Sequence, residues 1–262
     1  MENGNILKLE NKPLCQCPNS CNNDTPCKNE TIGNTLFCEK HQNCMGSPTN
    51  GWEPEYIANK LNKLYKYIKT HNCMSYALRG NFMNLYLMKQ CKTNNNCDNV
   101  NFEQPGGKSG QRDAMKKEVL RTCNTVKNLV ISDLGSKNFL PTTFCKECPA
   151  GFSKVALVVD NGTDYHWYRQ DSNGMWSHKD GSNPVKNFDA KKQKIFNPKQ
   201  ISRDYGDDLN YKSFCGFFCV NRNDTPNLGQ GGKRKTQKSK RRKTIGGKRK
   251  RLNPLKSLKN LR

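Results

Sequence analysis

The order of patterns along this chain predicts an α+β fold, with helices first and an antiparallel β-meander after them. Three observations carry that expectation. In EPEYIANKLNKLYKYIKTHNC, Ile57, Leu61, Leu64, Tyr65 and Ile68 recur at helical spacing with lysines between them. Later, KVALVVD, DYHWYRQD, MWSHKD and SFCGFFCV are short runs rich in β-branched and aromatic residues. Asn161-Gly162 and Asn173-Gly174 fall between the first three of these runs, and Asn-Gly is a strong hairpin signal.

The N-terminal segment, residues 1–50, needs something other than a core. Cys15, Cys17, Cys21, Cys27, Cys38, His41 and Cys44 lie there among Asn, Pro, Thr and Gly, with few apolar residues between them. A covalent or coordinate link must then supply the order. Zinc takes four tetrahedral sulfur or nitrogen ligands, commonly as two short pairs. Cys38 and His41 form one pair, and Cys21 with Cys27 is the chosen second, because Cys15-x-Cys17 is too close for a usual knuckle. Cys15 or Cys17 beside Cys21 is an alternative, and disulfides formed in an oxidising setting are the rival to Zn2+.

The helical part opens at residues 54–69. Residues 72–78, Asn-Cys-Met-Ser-Tyr-Ala-Leu, read as a second helix with Cys73 in its first turn. Residues 92–112 are polar and Gly-rich, including Gln104-Pro105-Gly106-Gly107, and form a loop. Helical character returns over 113–128, and the strands follow. Cys145-x2-Cys148 and Cys215-x3-Cys219 flank the expected sheet. Strand alternation sets Cys215 and Cys219 on one face, too far apart for one ion unless the backbone bulges at Gly216.

The chain carries 45 Lys plus Arg against 22 Asp plus Glu, a net charge of +23. Residues 231–262 hold 15 of those cations and no acid, so residues 221–262 read as a disordered polybasic tail. Such a tail binds nucleic acid or another polyanion by counterion release. It contains no Phe, Trp or Tyr for base stacking. The N-terminus, MENGNILKLENK, lacks a signal peptide's apolar run, and nothing approaches the roughly 18 apolar residues of a membrane span. No membrane insertion and an intracellular location are expected, with nucleus, viral factory or virion as the candidate sites.

Chemistry concentrates on Cys73 and two histidines. A thiol nucleophile gains from a helix start, where unpaired N–H groups favour the thiolate, and it needs an imidazole as base. His41 sits in the cysteine cluster and His71 precedes the helix, which leaves His166 and His178 on two neighbouring strands. Alternation puts Asp164, His166 and Tyr168 on one strand face. A hairpin centred on Asn173-Gly174 brings His178 near the height of His166, where it can orient the ring.

Helix-borne Cys73 followed by strand-borne His166 resembles the NlpC-like branch of the papain-fold cysteine peptidases and amidases. The blocks NCMSYAL, EQPGGKSG, KVALVVD, DYHWYRQDSNGMWSHKDGS and YKSFCGFFCV are similar, in that order, to an uncharacterised bacterial and viral group of such domains. The resemblance covers about residues 54–220, within a domain taken as 51–220. It implies a papain-like hydrolase domain with Cys73 as nucleophile, His166 as base and His178 as the orienting residue. Those enzymes often carry Asp-Cys-Ser where this chain has Asn72-Cys73-Met74, which leaves the backbone N–H of Cys73 as the candidate oxyanion donor. The N-terminal segment resembles short Cys–His zinc modules, and the tail resembles those of large DNA virus proteins. A peptide or other amide or ester is the expected substrate. The alternative is a non-enzymatic, nucleic-acid-associated virion or nuclear protein using the zinc module and tail.

Overall fold

A computed structural model describes residues 13–223, apart from 22–24, 34, 92–95, 98–99, 118–120 and 207. The expected polybasic tail, from residue 224 on, lies outside the described residues. The described chain begins with a small hairpin, β1 (Pro18–Ser20) and β2 (Thr25–Pro26), within the cysteine-rich segment. Helices α1 (Ala58–Leu61), α2 (Tyr65–Thr70), α3 (Cys73–Arg79), α4 (Leu85–Gln90) and α5 (Cys123–Leu134) follow. Strands β3 (Phe139–Thr142), β4 (Phe152–Asp160), β5 (Asp164–Gln170), β6 (Trp176–Lys179), β7 (Val185–Lys186) and β8 (Ser213–Asn221) complete the order. The fold is α+β, as the patterning predicts.

All six C-terminal strands join one antiparallel sheet in the order β3-β8-β4-β5-β6-β7. Strands β4 to β7 are the meander, and both Asn-Gly signals mark turns whose glycines have φ of +82° and +80°. Strand β8 returns to the free side of β4. One face of the sheet packs Val155, Leu157, Val159, Tyr165, Trp167, Phe218 and Val220 against α3 and α5. The opposite face packs Ala156, Val158, Tyr168, Trp176 and Phe217 against Phe144, Ile195, Phe196 and Ile201. Both faces are covered, so the central strand β4 reads VALVV without alternation.

Two expected helices are corrected. Residues 54–69 form α1 and α2 rather than one helix, because Leu64 is extended and the Asn62 side chain pins β7. Asn62 Nδ2 donates to the Val185 carbonyl at 2.9 Å and its Oδ1 accepts from the Val185 N–H at 2.7 Å. The helix expected over 113–128 starts instead at Cys123, capped by the Thr122 hydroxyl, and only a 3-10 turn spans Arg112–Lys116.

Ten cysteines are crosslinked: Cys17–Cys44, Cys21–Cys145, Cys91–Cys97, Cys123–Cys215 and Cys148–Cys219. The reduced thiols expected of an intracellular chain are therefore not what the fold holds. Cys145, Cys148, Cys215 and Cys219 enter three different bridges and form no shared metal site. A bulge explains Cys215 and Cys219. The β4–β8 register slips between Leu157 and Val158, opposite Gly216 at φ +128°, so Cys215 faces α5 while Cys219 faces away from it. No helix among the described residues is long and apolar enough to cross a membrane.

Candidate active site and thiol cluster

A polar chain fixes the start of α3. Asn72 Oδ1 accepts the Ser75 N–H at 3.0 Å as an N-cap, and Asn72 Nδ2 donates to the Glu103 carbonyl at 2.8 Å. The Glu103 carboxylate accepts from the Arg79 guanidinium and from Asn84 Nδ2 at 2.8 Å. The Asn84 N–H donates to His71 Nε2 at 2.8 Å. Every member of this network is buried, so the backbone that presents Cys73 is held from both sides.

Cys73 packs on the α3 face of the sheet, whereas alternation places His166 on the opposite face, paired in register with Val158. They approach at the strand edge. Strand β6 pairs with β5 only from Tyr168 to Gln170, so the edge of β5 around His166 is open. There the Cys73 thiol donates to the Tyr165 carbonyl at 4.0 Å and lies near the Trp167 N–H. Among the described residues the thiol and the His166 imidazole are not hydrogen-bonded. Both line one cavity of about 900 Å³, with Asn72, Gln104, Tyr165 and Asp180 in its wall. Burial, reinforced by Asp164, pushes the Cys73 thiol well above its ordinary range. The helix start expected to favour a thiolate is outweighed by desolvation.

The imidazoles meet as the hairpin predicts. His166 Nε2 lies 2.8 Å from His178 Nδ1, and His178 Nε2 lies 3.0 Å from the Phe188 carbonyl. A carbonyl can only accept, so His178 Nε2 carries a hydrogen. His178 Nδ1 in turn faces both His166 Nε2 and, at 2.9 Å, the Asp180 carboxylate, which can only accept from it. Burial lowers His166 to about 3, against the opposing pull of Asp180.

Sequence reasoning missed Asp180. Its Oδ1 lies 2.9 Å from His178 Nδ1 and 3.4 Å from His166 Nε2, while Oδ2 pairs with Lys186. Burial alone would raise Asp180, but the His178 hydrogen bond, the two rings and Lys186 hold it well below the usual carboxylate range. The signal was present in WSHKD, where His178 and Asp180 stand two residues apart and so share a strand face.

At the other end of the chain, Cys15, Cys27, Cys38 and His41 gather into one buried group. His41 Nδ1 lies 3.4 Å from Cys15 Sγ and 3.3 Å from Cys38 Sγ, and Cys27 Sγ lies 3.8 Å from Cys38 Sγ. Cys21 is not a member. It is bridged to Cys145, and Cys15 takes the place expected for it. Spacing misled here because Cys15 and Cys17, two residues apart, take different partners: Cys15 lies against His41 while Cys17 bridges Cys44. Thiolates about 2.3 Å and an imidazole about 2.0 Å from a tetrahedral centre stand about 3.8 Å (S to S) and about 3.5 Å (S to N) apart. The four donors fit that geometry.

The fourteen cysteines are thereby sorted. Ten are bridged, three share His41, and Cys73 alone stands against the cavity.

No family model and no solved structure match the chain. Over 120 residues it is 35% identical to insoluble matrix shell protein 1 of Ruditapes philippinarum, covering 42% of this chain and 71% of that relative.

Proposed function

We propose that the chain, which belongs to the family of insoluble matrix shell protein 1, is a cysteine hydrolase of the peptidase or amidase type, with Cys73 as nucleophile and His166 as base. One observation carries the reading. The cysteine outside every bridge and outside the thiol cluster shares a cavity wall with His166, an imidazole held by His178 and Asp180. A papain-like, NlpC-like arrangement of helix-borne thiol and strand-borne histidines accounts for it.

The mechanism follows from the resting contacts. With a substrate amide or ester in the cavity, the thiol leaves the Tyr165 carbonyl and turns to His166. Its proton passes to the His166 imidazole as the sulfur attacks the carbonyl carbon, so proton transfer and attack are concerted rather than preceded by a standing thiolate. The backbone N–H of Cys73 meets the developing oxyanion. His178 holds the His166 ring in place, and Asp180, beside both rings, stabilises the imidazolium. His166 then protonates the leaving group and activates the water that cleaves the thioester.

The test uses the full-length, oxidised, zinc-loaded protein with p-nitrophenyl acetate. A burst of one equivalent of nitrophenol, with a single acetyl group mapped to Cys73, is expected. His166→Ala should slow it about 100-fold or more, and Cys73→Ala should abolish it. Acetylation spread over lysines, with a burst that survives Cys73→Ala, would sink the reading.

Zinc is the ion proposed for Cys15, Cys27, Cys38 and His41. Bound there it supplies structural crosslinking only, since four protein ligands close the site. Five disulfides fit an oxidising setting such as an extracellular matrix or an assembled particle better than a reducing cytoplasm. The 15 cations of residues 231–262 favour a second, non-exclusive role in holding the protein on nucleic acid or another polyanion.

A further inference from the structure

We infer that His166, His178 and Asp180 form a second metal site, which takes a first-row divalent transition ion through His166 Nε2, His178 Nδ1 and Asp180 Oδ1. Three donor atoms converge there at mutual distances of 2.8, 2.9 and 3.4 Å. Nitrogen and oxygen ligands about 2.1 Å from a metal stand about 3.0 Å apart on an octahedral face and about 3.4 Å apart in a tetrahedron. The three contacts span that range.

The surroundings match a ligand set as well. The hydrogen bond from His178 Nε2 to the Phe188 carbonyl engages that nitrogen as donor and leaves Nδ1 as the one to bind a metal, the usual support for a metal-binding imidazole. Lys186 occupies Asp180 Oδ2 and leaves Oδ1 free to coordinate. His166 and Asp180 also line the 900 Å³ cavity, so remaining coordination positions open to water or a small ligand rather than to protein. Two imidazoles and one carboxylate suit zinc, cobalt, iron or nickel better than calcium or magnesium. The Lys186 cation, in contact with the carboxylate, opposes a dication, so this site is weaker than the thiol cluster.

The consequence for activity rests on the hydrolase reading: a metal on His166 Nε2 replaces the bond to His178 and takes the base out of use. Metal binding itself stands apart from that reading and is tested without an activity assay. The full chain, carrying one equivalent of Zn2+ in the Cys15, Cys27, Cys38 and His41 group, is titrated with Co2+ and followed by visible absorption. A second equivalent should bind, with d–d bands and no thiolate-to-cobalt charge transfer. Asp180→Asn should weaken it about 10-fold to 100-fold. His178→Ala should abolish it, and Lys186→Met, which removes the opposing cation, should tighten it.

The other histidines cannot mimic the result. His41 belongs to the first site, and both His71 nitrogens are engaged, by Thr70 and Asn84. Retention of the first zinc reports that each variant is folded. If His178→Ala fails that control, Asp180→Asn, at the partly exposed rim, decides the matter. Saturation at one equivalent in the unaltered protein, a second equivalent with a thiolate band, or one untouched by Asp180→Asn would overturn the inference.

Discussion

Acid should destabilise this fold through His71, two residues before the proposed nucleophile. Burial lowers His71 from an ordinary 6.5 to about 3, helped by the nearby Lys179 and Arg79 charges. The ring stacks on Tyr67 with centroids 4.1 Å apart and accepts the Asn84 N–H, so it must stay neutral to keep its place. Below pH 6.5 the unfolded chain takes up a proton that the folded chain refuses until about pH 3. Stability that is fully present above 6.5 is therefore lost as pH falls. Each pH unit within that window removes about 1.4 kcal/mol, or about 3 kcal/mol by pH 4.5.

The perturbation is His71→Gln, whose side-chain oxygen keeps an acceptor near Asn84 but never titrates. Urea unfolding is measured between pH 4 and 7.5. The variant starts lower by roughly 1–2 kcal/mol from the lost stack and imperfect hydrogen bond. The slope is the diagnostic quantity. His166, also held near 3 by burial, titrates in both proteins, so the unaltered protein should lose about 1.4 kcal/mol more per pH unit than His71→Gln. Parallel stability curves would refute the reasoning, since they would mean that His71 ionises inside the fold without penalty.

Three further outcomes are expected. Cys15→Ser should release the bound zinc, whereas Cys21→Ser should keep it and lose only the bridge to Cys145; metal analysis after gel filtration separates the two. Gly216→Ala should destabilise by about 1–3 kcal/mol, because φ +128° strains an L-residue and the new methyl would meet the Phe218 ring at 3.3 Å. Its urea midpoint tests this, with non-reducing peptide mapping to show whether Cys123–Cys215 still forms. Removing residues 231–262 should abolish retention on heparin or DNA and flatten its salt dependence, without moving the thermal midpoint of the rest.

The fold was legible wherever the pattern was local. β-Branched runs punctuated by Asn-Gly announce β4, β5 and β6, and Asn72 before an apolar stretch announces α3. Local pattern failed where a tertiary contact overrode it. Asn62 sits in an unbroken helical repeat, yet two hydrogen bonds to Val185, 123 residues away, stop the helix there. The Arg112–Lys116 turn failed for another reason. The Asp133 carboxylate accepts the Gly106 and Ser109 N–H groups at 2.8 Å and so gathers the preceding loop against α5.

The cysteines show the same division more sharply, because their chemistry depends on pairs and sequence spacing reports only one coordinate of a pair. Cys38 and His41 were readable as partners because a single 3-10 turn joins them. Cys21 and Cys145 are 124 residues apart, and only the packing of the N-terminal segment against the sheet region brings them together. The catalytic assignment profits from that long-range sorting. Spacing alone leaves fourteen thiols as rival nucleophiles, whereas closure of five bridges and a thiol cluster leaves Cys73. If Cys73 were an ordinary core thiol, nothing would require its helix start to be held by Asn72, Glu103, Arg79, Asn84 and His71 together. A buried network of that size costs several desolvated polar groups, and a Leu at position 73 would pack the same face more cheaply. Cys73→Leu is thus expected to raise stability while removing the acetylation burst. A loss of stability instead would return Cys73 to the core.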